Sequence, residues 1–136
     1  MVQPPSKYLD GIIDQFRQAF AEAEIVVRDE QPNRSLLELQ APYGPYRIRL
    51  LEVIVAGSTR KYSYCVLRGD HVIVGFDNAP DSQALRLKYG KEFSRYRHER
   101  IPHRHSTGKS QVELTTELTC ADFIAWVHAN LALDRG

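Results

Sequence analysis

Apolar residues recur at Leu9, Ile12, Ile13, Phe16 and Phe20, the three-and-four spacing that lays one apolar stripe along an α-helix. Ser6, directly after Pro4-Pro5, is the expected N-cap of this helix. Its end is expected near Ala23, because Glu24-Ile25-Val26-Val27-Arg28 reads as a strand. Pro32-Asn33 then marks a turn, Ser35–Gln40 a second strand, and Pro42-Tyr43-Gly44-Pro45 a further break.

The period of two continues beyond that break. Tyr46–Val55 opens as Tyr-Arg-Ile-Arg-Leu, an alternation that buries one face of a strand. Arg60–Arg68 sets Tyr62, Tyr64 and Val66 on one face and Lys61, Ser63 and Cys65 on the other. Gly69-Asp70 separates it from the strand-like run His71–Phe76, a two-residue hairpin signal. Residues 81–100 obey neither period: Leu85, Leu87, Phe93 and Tyr96 share no single helical stripe, and a partly helical excursion is expected there. Gln111–Leu118 returns to alternation through Val112 and Leu114. Thr119 and Asp122 then form a capping box, with Asp where Glu is usual, ahead of the stripe Phe123, Ile124, Val127 and Leu131. Trp126 lies off that stripe and marks a candidate interface. The expected fold class is α+β, a single antiparallel meander packed by N- and C-terminal helices. One domain is expected over 1–136, with residues 1–5 flexible, since the chain contains no repeat, low-complexity tract or linker.

Composition supports a packed core: 43% of the 136 residues are hydrophobic and 26% charged. No run of about 18 apolar residues is available to cross a membrane. The N-terminus lacks the basic and apolar regions of a signal peptide. Cys65 and Cys120 form no paired or metal-binding motif, so reduced thiols and a cytoplasmic location are expected.

Net charge is only +1, yet it is segregated. Residues 85–110 hold eight bases (Arg86, Lys88, Lys91, Arg95, Arg97, Arg100, Arg104 and Lys109) against Glu92 and Glu99, a net +6. The rest of the chain is net −5. Tyr89, Phe93 and Tyr96 interleave with these bases. Cations that bind phosphates beside rings that stack on bases compose an RNA or single-strand contact, although a solvated helix face has the same composition.

Two short segments could carry chemistry. In Phe76-Asp77-Asn78-Ala79-Pro80 a hydrophobic strand stops in a turn, where Asp and Asn suit Asx turns. Asp77 there is also a candidate general base, metal ligand or orienter of a histidine. In Pro102-His103-Arg104-His105, an extended backbone would place the two imidazoles on one side and Arg104 on the other. Two histidines can divide into acid and base near neutral pH, which RNA cleavage by its own 2′-hydroxyl requires. The same pair suits a divalent metal, with Asp77 as a third ligand. Tyr62 and Tyr64 read as packing residues, and His71 and His128 as structural or solvated. The chain has no Gly-rich phosphate loop, serine elbow or Cys-His nucleophile signature.

The order Tyr62-Ser63-Tyr64, hairpin, Asp77-Asn78-Ala79-Pro80, Pro102-His103-Arg104-His105, strand and helix resembles the TumE family, small toxins of type II toxin–antitoxin modules. The resemblance covers roughly residues 46–132. Asp77, Asn78, His103 and His105 match its turn and histidine run, and Tyr62 and Tyr64 its strand. Three departures stand out. Asp81-Ser82 occupy the place of a histidine pair, Arg104 alone separates His103 from His105, and the segment 81–101 is longer. His98 is the candidate to replace a missing histidine.

The resemblance implies a growth-inhibiting, ribonuclease-like toxin with a cognate antitoxin as partner. On this reading His103 and His105 act as acid and base and Asp77 orients them. Arg95, Arg97, Arg100 and Arg104 contact RNA phosphates, and no cofactor is required. Two alternatives stay open: a metal-dependent nuclease or phosphoesterase using Asp77, His103 and His105, and a non-catalytic module that docks RNA or an acidic partner.

Overall fold

The computed structural model describes residues 4–56, 59–106 and 111–131. Met1–Gln3 and Lys109, both part of the sequence expectations, lie outside the described residues. Helix α1 (Pro5–Ala19) buries Leu9, Ile12, Ile13 and Phe16, the stripe that the spacing predicts. Its start differs from expectation: Pro4 takes the cap and Pro5 opens the helix, while Ser6 sits in the first turn and caps nothing. Proline suits that position because its φ is already helical and its missing N–H has no partner to lose. The helix also stops earlier than Ala23, since Phe20 turns extended (φ −130°, ψ 125°) to enter the core and Glu22 is left-handed at φ 58°.

Seven strands follow: β1 (Glu24–Gln31), β2 (Arg34–Tyr43), β3 (Tyr46–Val55), β4 (Thr59–Arg68), β5 (His71–Asp77), β6 (His103–Ser106) and β7 (Gln111–Leu114). Their spatial order is their chain order, and every adjacent pair is antiparallel. Pro42 does not end β2. Pairing with β1 reaches only Gln40, so the missing N–H of Pro42 faces no neighbour, and the chain reverses at Gly44-Pro45 instead. Gly44 and Gly69 both take positive φ (59° and 61°) in their hairpins, a conformation glycine adopts without strain.

Residues opposed across an antiparallel sheet share a face. One row runs Leu39, Leu50, Tyr64, Phe76 and Arg104. Except for Arg104 these residues are buried in the main core under α1 and α3 (Cys120–Asn130). A row on the opposite face runs Leu51, Ser63, Asp77, His103 and Leu114. The sheet thus separates the core from the candidate chemistry. On this second face the excursion folds as α2 (Ser82–Tyr89) and a 3₁₀ helix (Gly90–Tyr96). Ala84, Leu85 and Ile101 form a small second core there with Tyr89, Phe93 and Val112.

β7 stops at Leu114 rather than Leu118, because the chain then crosses to the helix-covered face. There the Leu118 N–H donates to the Tyr62 hydroxyl at 3.1 Å, and the Leu118 carbonyl accepts from Arg60 at 2.6 Å. The capping box of α3 forms as expected, with reciprocal bonds between Thr119 and Asp122. Trp126 is half-buried and packs edge-on against Phe76, ring centroids 5.3 Å apart. His128 packs against the rings of Phe20 and Tyr43, and His71 is exposed at its hairpin.

A polar cluster is embedded in the core. Glu52, fully buried, accepts from Tyr8 (2.6 Å), Arg60 (2.9 Å) and Tyr64 (2.7 Å). Arg60 also donates to the Tyr64 hydroxyl and to Glu117. Burial, reinforced by the negative charge of Glu52, pushes the Tyr8 and Tyr64 phenols above their ordinary value. A raised folded-state value leaves stability complete below the ordinary tyrosine value of about 10 and removes it as pH rises beyond that. Urea midpoints should therefore fall above pH ~10, and Tyr64→Phe should flatten that fall. At neutral pH the same variant should lose about 1–3 kcal/mol, because a buried carboxylate oxygen is left short of a donor. An unchanged alkaline slope in Tyr64→Phe would contradict this assignment.

Candidate functional site

The site forms where β5 ends and β6 begins. Asp77 pairs with His103 and Gly75 with His105, so strand alternation projects both imidazoles onto the face that carries the Asp77 carboxylate. The two Nε2 atoms lie 2.8 Å apart. Asp77 brackets them, Oδ1 at 3.4 Å from His103 Nε2 and Oδ2 at 3.5 Å from His105 Nε2. Asp77 is itself fixed by an Asx turn, accepting from the Ala79 N–H at 2.9 Å.

His103 is 1% exposed, and its Nδ1 lies 2.6 Å from the Ile101 carbonyl. A carbonyl only accepts, so Nδ1 carries a proton and Nε2 is the ring nitrogen that faces the cluster. A backbone carbonyl holding the far nitrogen in this way is the usual outer support of a metal-bound histidine. The side chains of His105 and Asp77 are 13% and 21% exposed, so the cluster opens on their side.

One donor atom each from Asp77, His103 and His105 falls within a common 4.8 Å. In a tetrahedral site with bonds of 2.0–2.2 Å, donors stand about 3.3–3.5 Å apart. Each Asp77 oxygen already stands at that spacing from one imidazole, and the two imidazoles need only part by about half an ångström to reach it. The residues therefore suit a divalent ion.

Asp81, which the sequence marks only as a departure from the histidine pair, adds a fourth polar group. It caps α2 through Oδ1, which accepts from the Ala84 N–H at 2.9 Å. Its Oδ2 lies 3.9 Å from the Nε2 of both histidines. The available signal was an acidic residue four positions past Asp77 at the head of a helix.

Asn78 anchors this corner. Buried, it donates to the Arg60 carbonyl (2.9 Å) and to Glu117 (3.1 Å), and it accepts from the Tyr62 N–H (3.1 Å) and from Arg100 (3.1 Å). It thereby ties the turn bearing Asp77 to the polar cluster in the core.

The four arginines expected at phosphates are dispersed. Arg104 points to the opposite face of the sheet, as alternation requires, and pairs with Glu113 at 2.8 Å. Arg95 is 76% exposed beside Glu92, and Arg97 donates to His98 at 3.3 Å. Arg100 alone of the four bonds a residue adjoining the site. His98 is exposed on the excursion and stands outside the cluster. Tyr62 and Tyr64 are buried and stacked in the core. Both cysteines are buried and free, and burial raises both thiols, Cys120 to about 12, so neither is a thiolate at neutral pH. No helix of the described residues is long and apolar enough to cross a membrane.

No protein-family model, curated protein or solved structure matches the chain.

The donor set predicts that the purified protein takes up one Zn²⁺ or Co²⁺ per chain, measured by calorimetry and by the visible spectrum of cobalt. His103→Ala should weaken binding by more than the roughly 10–100-fold lost when only an outer partner is removed. Equal affinity in wild type and variant would place the ion elsewhere.

Proposed function

We propose that this protein is a metal-dependent ribonuclease acting as the toxin of a toxin–antitoxin pair, with Asp77, His103 and His105 holding the ion. The observation that carries the reading is the convergence of two imidazole Nε2 atoms, 2.8 Å apart, with both oxygens of one carboxylate. An acid and a base for a metal-free cleavage must flank the reacting phosphate. Two nitrogens that face each other at hydrogen-bond distance leave no room for phosphorus between them and share a proton instead. A divalent ion supplies Lewis acidity toward a phosphoryl oxygen and a nucleophile from water at neutral pH. In the hydrolysis water adds to phosphorus, one P–O ester bond breaks, and the departing alkoxide takes up a proton.

RNA as substrate rests on the excursion that borders the site. Its bases Arg86, Lys88, Lys91, Arg95 and Arg97 are exposed, and Tyr89 and Tyr96 stack at 3.7 Å between them. Such a surface attracts a polyanion and offers rings to unpaired bases. Arg100, held by Asn78 beside Asp77, is the cation best placed to meet a phosphate at the site. The toxin role and an antitoxin partner rest on the resemblance of the Asp77–Pro80 turn and the His103–His105 run to TumE-type sequences. Buried, protonated thiols and an RNA substrate both suit the cytoplasm.

Chelator-treated protein should leave a synthetic transcript intact and cleave it once Mn²⁺ or Zn²⁺ is restored. His103→Ala with His105→Ala should abolish cleavage while the thermal unfolding transition persists. Cleavage that ignores chelator would return the histidines to acid–base roles. Tight RNA binding with no cleavage under either condition would leave a docking module. Expression should arrest growth, and a small neighbouring gene product should relieve the arrest.

A further inference from the structure

Asp81 uses its two carboxylate oxygens for different tasks. Oδ1 accepts the Ala84 N–H at 2.9 Å and so starts α2. Oδ2 stands 3.9 Å from His103 Nε2 and equally far from His105 Nε2. That places it over the gap between the rings, on the side of the excursion. Its side chain is 24% exposed, which leaves freedom for the half-ångström approach that coordination requires. Two neutral imidazoles with two carboxylates also balance a divalent cation, and the mixed nitrogen and oxygen set suits Zn²⁺, Mn²⁺ or Fe²⁺.

We infer that Asp81 is a fourth protein ligand of the ion, and that metal occupancy clamps the basic excursion onto the sheet; the inference rests on the metal reading above. The excursion is tied to the sheet by Arg100, which donates to Asn78 at 3.1 Å, and by a small apolar contact. Its apolar anchorage is Ala84, Leu85 and Ile101 with three half-buried neighbours. Many of its other contacts are internal: Tyr89 on Tyr96, Arg86 over Phe93, and Lys88 and Tyr89 on Glu99. An ion bound jointly by β5, β6 and the cap of α2 joins the first residue of the excursion to the strands on which it rests. Such a link adds order to the segment, since a ligand of the docked form alone stabilises that form. RNA affinity and metal occupancy become coupled through Asp81, because the phosphate-binding residues belong to the segment that the ion holds.

Hydrogen exchange with and without Zn²⁺ tests this directly. In the wild type, Zn²⁺ should slow exchange of the amides between Ala84 and Tyr96, with far less effect on β2 and β3. Asp81→Asn is the decisive variant, because asparagine caps a helix as well as aspartate while lacking the charge. It should match the wild type without metal, bind Zn²⁺ more weakly by more than the roughly 10–100-fold lost with an outer partner, and lose the metal-induced protection at matched occupancy. If the wild type binds Zn²⁺ and Asp81→Asn binds it equally, or if exchange in the excursion ignores the ion, the clamp is wrong and the three-ligand centre stands. A wild-type chain that binds no ion overturns both.

Discussion

Glu52 sits in the interior of the helix-covered face with no exposure to solvent, and its carboxylate is satisfied by Tyr8 from α1 and by Arg60 and Tyr64 from β4. Removing one partner of a buried ion pair typically costs about 3–5 kcal/mol, because the other charge is then stranded. Arg60 extends the constraint outward: its side chain holds Glu117 and the Leu118 carbonyl, and its own backbone carbonyl holds Asn78. The crossover that leads to α3 and the turn that bears Asp77 are thus positioned by one polar cluster. A purely apolar core would have packed the helices without specifying where that turn lies.

The sheet then works as a partition. Core packing occupies one face and the imidazole–carboxylate group the other, with strand alternation assigning Phe76 and Arg104 to the first and Asp77, His103 and His105 to the second. Asn78 is the side chain that links the two sides, bonding the core cluster through Glu117 and the excursion through Arg100. The conformation of the site therefore depends on a group that never faces it.

Much of this was legible beforehand. The stripe of α1, the alternation of β3 and β4, the Gly69-Asp70 hairpin and the Thr119 capping box all follow local rules that the fold obeys. So does the shared side of His103 and His105, with Arg104 opposite. Their meeting with Asp77 was suggested by residue type alone, because the register of β6 against β5 is set across the long excursion, where periodicity is silent. Glu52 and Arg60 went unremarked although both fall on the apolar phase of their strands, Glu52 in line with Ile48 and Leu50 and Arg60 with Tyr62 and Tyr64. A charged residue in the buried phase was the signal. Asp81 was noted only as a departure from a motif, and its position ahead of Ala84 gave no hint that its second oxygen would face two imidazoles.

The strictly sequential order of the strands also shapes how the molecule comes into being on the ribosome. Each strand from β2 to β5 finds its partner in the segment synthesised just before it, so pairing keeps pace with elongation. His103 and His105 emerge only after that ladder and the whole excursion have been made. The imidazole pair is thus added only after five of the seven strands, and a polypeptide released before β6 carries most of the sheet and neither of these histidines.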